Sequence, residues 1–178
     1  PAVPDGRTVR LVAVRHPLLD VSLRQEPGDR SVVPLDLILD SDSPVLVITG
    51  PNAGGKTVSL KMLGLAVLMF QSGLPVPCDE GTRLPIFHAV IADIGDEQSI
   101  ATSLSTFTSH LRHLDVMCRT AEGDSLCLID EIGDGTDPDE GAALAIATLQ
   151  RLQARGAFVV ATTHFGKVKS YALRTDGV

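Results

Sequence analysis

Residues 45–57, VLVITGPNAGGKT, constrain the fold more than any other stretch of the chain. The run VLVIT at Val45–Thr49 is short and continuously apolar, the pattern of a strand buried on both faces. GPNAGGKT follows at once and satisfies G-x-x-x-x-G-K-[ST] at Gly50, Gly55, Lys56 and Thr57. Residues 57–72 then show helical periodicity, stopped by Gly73 and Pro75. Glycines let such a backbone curl so that its N–H groups point inward at phosphate oxygens, and the helix N-terminus adds attraction. Lys56 supplies a point charge to the outer phosphates, and the Thr57 hydroxyl is placed to ligate Mg²⁺. A Gly-rich turn without function is the competing reading, and the strand before and helix after count against it. The candidate nucleotide-binding residues are therefore Gly50, Pro51, Asn52, Ala53, Gly54, Gly55, Lys56 and Thr57, with Val58 next in the helix.

From residue 45 onward the chain alternates. Residues 88–92, 125–129 and 157–162 read as strands, and 105–119 and 141–155 as helices. Alternation of this kind implies crossovers and a mainly parallel sheet. Before it, residues 8–14 and 32–39 read as strands, with a turn at Arg15-His16-Pro17 and a polar loop over 24–31. The expected fold is α/β: a mostly parallel central sheet flanked by helices, with an antiparallel N-terminal edge, in one domain spanning 1–178. The chain opens at Pro1 rather than Met and runs directly into strand-like sequence, so it reads as a domain excised from something longer.

SLCLIDE, residues 125–131, delivers two carboxylates at a strand's C-terminal end, where open α/β sheets bind their ligands. Asp130 suits Mg²⁺, directly or through water, and Glu131 suits orientation or deprotonation of an attacking water. An exposed acidic turn is the plainer alternative; the phosphate loop tips the balance. His164 ends a third strand-like run, AFVVATT, and could hydrogen-bond a γ-phosphate or the water. His110 and His113 stand three apart on a helix without a carboxylate or Cys pattern, so a solvated face is expected there. His16 and His88 read as structural. In LSTF, residues 104–107, Ser105 and Thr106 sit at a helix start, and from spacing alone they read as helix caps.

Composition narrows the partners. Aromatics make up 3% of the 178 residues and Trp is absent, a poor basis for stacking single-stranded nucleic acid. The net charge of −7 gives no basic footprint, so a nucleic acid partner is expected to be held elsewhere. Cys78, Cys118 and Cys127 fall at no metal or disulfide spacing, which fits a reduced, cytoplasmic setting. The longest apolar stretch, residues 63–70, is too short for a membrane span.

Taken in order, GPNAGGKT, IGDEQSI, LSTF, IDEIGDGTDPDEG and TTH resemble the ATPase domain of the MutS mismatch-repair family, a branch of the ABC-type ATPases. STF-x-x-H and GTDPxEG are similar to its bacterial MutS-two branch, and RHPLLD and VVPLDLIL match that branch's lead-in, so the resemblance covers nearly the whole chain. It implies ATP and Mg²⁺ as ligands and hydrolysis in a homodimer, with Asn52 on the γ-phosphate and Val32 and Val33 against adenine. It further implies that Gln98 senses Mg²⁺ and the water, and that His164 is the switch histidine. Ser105 becomes the signature residue reaching the partner's ATP, and Gly135–Asp137 a subunit-crossing loop. Asp134 departs from the small residue usual at its position. Core, clamp and coiled-coil segments and a small nuclease domain are missing from this stretch. The resemblance assigns DNA or ribosome engagement and endonuclease activity to those parts. A regulatory ATP-binding module with negligible turnover is the alternative. A GTPase or small-molecule kinase is disfavoured by the lack of an N-K-x-D tetrapeptide and of a lid-like Arg cluster.

Overall fold

The computed structural model describes residues 2–4, 6–25, 31–51, 54–95 and 103–178, with the backbone alone at 24 and 103–106. In chain order the first elements are β1 (Val3–Pro4), β2 (Val9–Val14), α1 (Pro17–Gln25), β3 (Leu35–Leu39), β4 (Val45–Thr49) and α2 (Lys56–Gln71). They are followed by β5 (Arg83–Leu84), β6 (Ala89–Asp93), α3 (Ser103–Thr120) and β7 (Ser125–Ile129). Last come α4 (Pro138–Ala154), β8 (Phe158–Thr163) and α5 (Gly166–Ala172). They divide into two compact units: Pro1–Ser41 with Lys61–Ile86, and Asp42–Leu60 with Phe87–Val178.

The first unit holds a four-stranded sheet in the order β1-β5-β2-β3, with β2 antiparallel to both neighbours. Val9, Leu11 and Val14 are buried, and the pairing with β3 shifts register between Leu11 and Val14. The bulge sits at Ala13, whose φ is +47° and whose N–H donates to Asp36 Oδ1 at 2.9 Å. Thus the expected antiparallel edge is a sheet of its own rather than a border of the parallel one. β3 starts at Leu35, not Val32, because Pro34 cannot donate to a ladder.

Helix α1 runs between the expected turn at Arg15-His16-Pro17 and the expected loop over 24–31, overlapping the ends of both. Pro17 stands at its first position, where a missing N–H costs nothing. His16 caps it: its Nδ1 accepts from Leu19 N–H at 3.3 Å and its carbonyl from Asp20 N–H at 2.9 Å. Burial and the Lys61 charge hold this imidazole below its ordinary pKa, against a backbone hydrogen bond that raises it. The neutral ring then keeps an acceptor nitrogen for the cap.

The second unit holds the expected parallel sheet, in the order β4-β8-β7-β6. The central strands β7 and β8 are buried along their whole length, which explains why their sequences are continuous apolar runs rather than alternating ones. Helix α4 turns Ala142, Ala145, Leu149 and Leu152 into the core, joined by Leu114 and Met117 of α3 and Val168 of α5. Helix α2 belongs to this unit as far as Leu60 and to the first from Lys61. Cys78, Cys118 and Cys127 are all free. In β7, burial and the neighbouring Cys118 push the Cys127 thiol up to about 12. Among the described residues no helix is long and apolar enough to cross a membrane.

Candidate functional site

Four parallel strands bring four C-terminal ends to one edge of the sheet. Register fixes what meets there. Thr49 pairs with Thr163, so Gly50 and His164 follow one shared rung. Ile129 pairs with Ala161 and with Asp93, so Asp130 stands one residue beyond that rung, beside Thr162. The phosphate loop, the carboxylate pair and His164 therefore converge because of strand direction.

In the loop after β4, Gly54 N–H donates to Pro51 O at 3.0 Å, and Gly55 takes a φ of +78° that favours glycine. Lys56 begins α2, is only 6% exposed, and donates from Nζ to Gly50 O at 2.8 Å. Its ammonium thus spans the mouth of the loop. Thr57 and Val58 follow in the first turn of α2, both half-buried. Asn52, Ala53 and Gln98 lie outside the described residues.

After β7 the chain turns sharply. Asp130 N–H donates to Asp93 O at 2.9 Å, extending the sheet by one bond. Glu131 adopts a φ of +49°, unusual for a residue with a side chain. Its N–H donates to Thr162 Oγ1 at 2.8 Å, and that hydroxyl donates onward to Asp130 Oδ1 at 2.5 Å. Ile132 N–H returns to Thr162 O at 2.9 Å. Burial pushes the Glu131 carboxyl above its usual range, and the charges of Asp134 and Asp130 add to this. Lys56 and His164 act in the opposite direction, which places both side chains within electrostatic reach of Glu131. A carboxylate that holds its proton more tightly is a stronger base once ionised. The ring of the exposed His164 tilts against Phe165, with centroids 4.4 Å apart.

The segment joining Glu131 to α4 is set by glycine. A Cβ on Gly133 would lie 2.2 Å from Gly141 O, and one on Gly141 would lie 2.2 Å from Gly133 O. Neither backbone has room for a methyl group. Gly135, at φ +94°, packs against the Phe107 ring of α3, which links this loop to the LSTF stretch. Asp137 caps α4, accepting from Asp139 N–H at 2.9 Å, with Pro138 at the first helical position. Asp134 is exposed and accepts from Gly135 N–H at 2.8 Å.

One expectation is corrected in part. His113 is exposed, as a solvated face requires, but His110 is half-buried, and both Nδ1 atoms face the Asp93 carboxylate at the end of β6, His113 at 2.8 Å. Burial raises the Asp93 pKa, but hydrogen bonds and charge from His110 and His113 outweigh it and hold it below the usual range. The i, i+3 spacing put both rings on one helix face; their carboxylate partner lies on a strand that sequence alone does not align with α3.

Ser105 lies in the first turn of α3. Val32 and Val33 belong to the first unit, Val32 buried at 8% exposure and Val33 open at 82%. Sequence reasoning missed Thr162, Gly133 and Gly141 as site-shaping residues. A hydroxyl pair ending an otherwise apolar strand, and a glycine in the first turn of an Ala/Leu-rich helix, were the available signals.

Asp130 and Thr57 offer a carboxylate and a hydroxyl, the oxygen donors Mg²⁺ takes when it also binds substrate phosphates. Among the described residues no three His, Cys, Asp or Glu converge as an all-protein metal site.

Residues 46–178 match the family model described as MutS domain V. Among curated relatives, Endonuclease MutS2 of Streptococcus thermophilus is 51% identical over 178 residues, covering 100% of this chain and 22% of the relative. Endonuclease MutS2 of Geobacillus sp. is 50% identical, with coverage of 100% and 22%. That of Agathobacter rectalis is 54% identical, with coverage of 98% and 22%. The chain thus spans 22% of the length of these relatives.

Proposed function

This chain belongs to the MutS family, and from that premise we propose that it binds ATP with Mg²⁺ and hydrolyses it as half of a dimeric, ABC-type ATPase. The observation that carries the reading is convergence: the phosphate loop, Asp130-Glu131 and His164 follow parallel strands to one sheet edge, where Lys56 and His164 act on Glu131.

Loop N–H groups and the α2 N-terminus receive the phosphates, and Lys56 turns its ammonium from Gly50 O to the outer phosphate oxygens. Asp130 and Thr57 hold Mg²⁺, which when bound neutralises phosphate charge. Glu131 orients the attacking water and takes its proton at the carboxylate; His164 hydrogen-bonds the γ-phosphate side. Ser105 of α3 and the Gly135–Asp137 loop reach the site of the partner subunit, so two copies complete two sites. Asp137 meanwhile caps α4 in its own chain, which keeps the loop rigid.

DNA or ribosome binding, and the nuclease action in the relatives' name, fall to segments outside this stretch. ATP then acts as a reversible clasp between subunits whose closure those segments read.

The test compares nucleotides. ATP is expected to bind more tightly than GTP, and Mg²⁺-dependent phosphate release is expected from ATP. A clear GTP preference overturns the assignment; ATP binding without release under any condition reduces the chain to a regulatory binding module.

A further inference from the structure

We propose that Thr162 is a positioning residue for hydrolysis, a buried hydroxyl that clamps Asp130, Glu131 and Ile132 into their working arrangement. This rests on the ATPase reading above and assigns a role to a residue outside the phosphate loop and the carboxylate pair.

Hydrogen-bond direction makes the case. A backbone N–H can only donate, so Thr162 Oγ1 accepts from Glu131 at 2.8 Å. Its single proton is then committed to Asp130 Oδ1 at 2.5 Å. The Thr162 carbonyl takes Ile132 N–H at 2.9 Å, so one residue engages three consecutive residues of the turn. The clamp is dry: Thr162 has no exposed surface and lies in a strand buried throughout. A hydroxyl exchanged with solvent could not fix these groups; a buried one leaves them no alternative partner.

Two consequences follow for chemistry. The Asp130 carboxylate is held through Oδ1, which accepts the Thr162 proton. Glu131 is held at φ +49°, in the left-handed region that side chains disfavour, which re-aims its carboxylate off the strand direction. Thr162 also pairs with Ile48 of β4 and stands two residues before His164, so it ties the carboxylates to the strand feeding the phosphate loop. A Thr serving only to fill the strand has no reason to be polar; Val has the same shape and higher apolarity.

The experiment uses the full-length polypeptide with Thr162→Val and Thr162→Ser. Thr162→Val is expected to lower kcat by about tenfold or more, as misplaced groups do. Its KM for ATP and its Mg²⁺-free affinity for a fluorescent ATP analogue stay within about twofold, because the phosphate loop is untouched. The Mg²⁺ concentration giving half-maximal analogue binding rises. Thr162→Ser restores both quantities, and amide hydrogen exchange at Glu131 speeds up in Val but not in Ser. Equal kcat, Mg²⁺ dependence and exchange in Val and parent overturn the clamp. If the parent hydrolyses no ATP, the ATPase reading fails, and exchange at Glu131 still judges the clamp by the same comparison. If Thr162→Val does not fold by circular dichroism, exchange in the parent decides: a protected Glu131 amide supports the clamp and an unprotected one overturns it.

Discussion

The loop after β4 and the turn after β7 leave the same edge of the parallel sheet, one shaped by neighbours in sequence and the other by residues far along the chain. In the loop, Lys56 reaches back six residues to Gly50, and Gly54 reaches three to Pro51. In the turn, Glu131 and Asp130 depend on Thr162, 31 and 32 residues away, and Gly133 depends on Gly141 of α4. A local device can be rebuilt wherever its short motif occurs. A device assembled across strands exists only when the sheet is in register. On the proposed function, charge binding is entrusted to the first kind and placement of the base to the second.

The largest effect that could break this division is kinetic. Glu131→Gln is expected to lower ATP turnover by about 10²–10⁴-fold while leaving ATP affinity near the parent value, since a general base is lost and the loop is intact. Lys56→Ala is expected to do the reverse in binding, weakening ATP by roughly 10–100-fold through loss of about 1.5–3 kcal/mol of charged hydrogen bonding. Titration with a fluorescent ATP analogue beside a phosphate-release assay separates the two. If Glu131→Gln weakens binding as much as Lys56→Ala does, the division is wrong.

Stability provides the next contrast. Gly133→Ala forces a Cβ to 2.2 Å from Gly141 O at a φ of +86°, and a loss of about 2–4 kcal/mol is expected. Among the described residues Gly54→Ala meets nothing nearer than Pro51 at 3.9 Å, so urea unfolding is expected to move by no more than about 0.5–1 kcal/mol. Similar midpoints for both variants would show that the turn is not sterically set.

A smaller effect belongs to the carboxylate at the end of β6. Burial works against the ionised Asp93, but His110 and His113 more than offset it and depress its pKa. A depressed carboxyl adds stability above its unfolded pKa and loses it as pH falls through the folded one. Asp93→Asn is therefore expected to cost about 1–3 kcal/mol at neutral pH, with the difference from the parent shrinking in acid. A cost that stays constant from neutral to acid pH would remove the ionised Asp93 carboxylate from the account.

These contrasts also mark what was legible beforehand. β4 and β7 fell where their apolar runs placed them, but only β7 is buried throughout; β4 stands at the edge of its sheet and is half-buried or exposed beyond Val45, which corrects the expectation that both its faces are covered. The shape of the loop after β4 was legible for a different reason: its contacts, Lys56 to Gly50 and Gly54 to Pro51, span a few residues. Thr162 was hidden inside AFVVATT because the meaning of its hydroxyl depends on β7 lying beside β8. The Asp93–His110–His113 group needed the placement of α3 against β6. Helix α1 was lost to a Pro and a His that read as a turn but act as first residue and cap. Nor did the alternation of strands disclose that β1, β2 and β3 share a separate sheet with β5, a strand that comes after β4 in the chain.

Composite sites make the central claim a matter of concentration. Steady-state ATP turnover per subunit, measured with Mg²⁺ over a wide range of protein concentration, tests it most directly. The account predicts that turnover per subunit rises with concentration to a plateau as pairs form, with ATP binding already present at the lowest concentration. A rate per subunit independent of concentration, in a protein shown to be monomeric throughout, would contradict it.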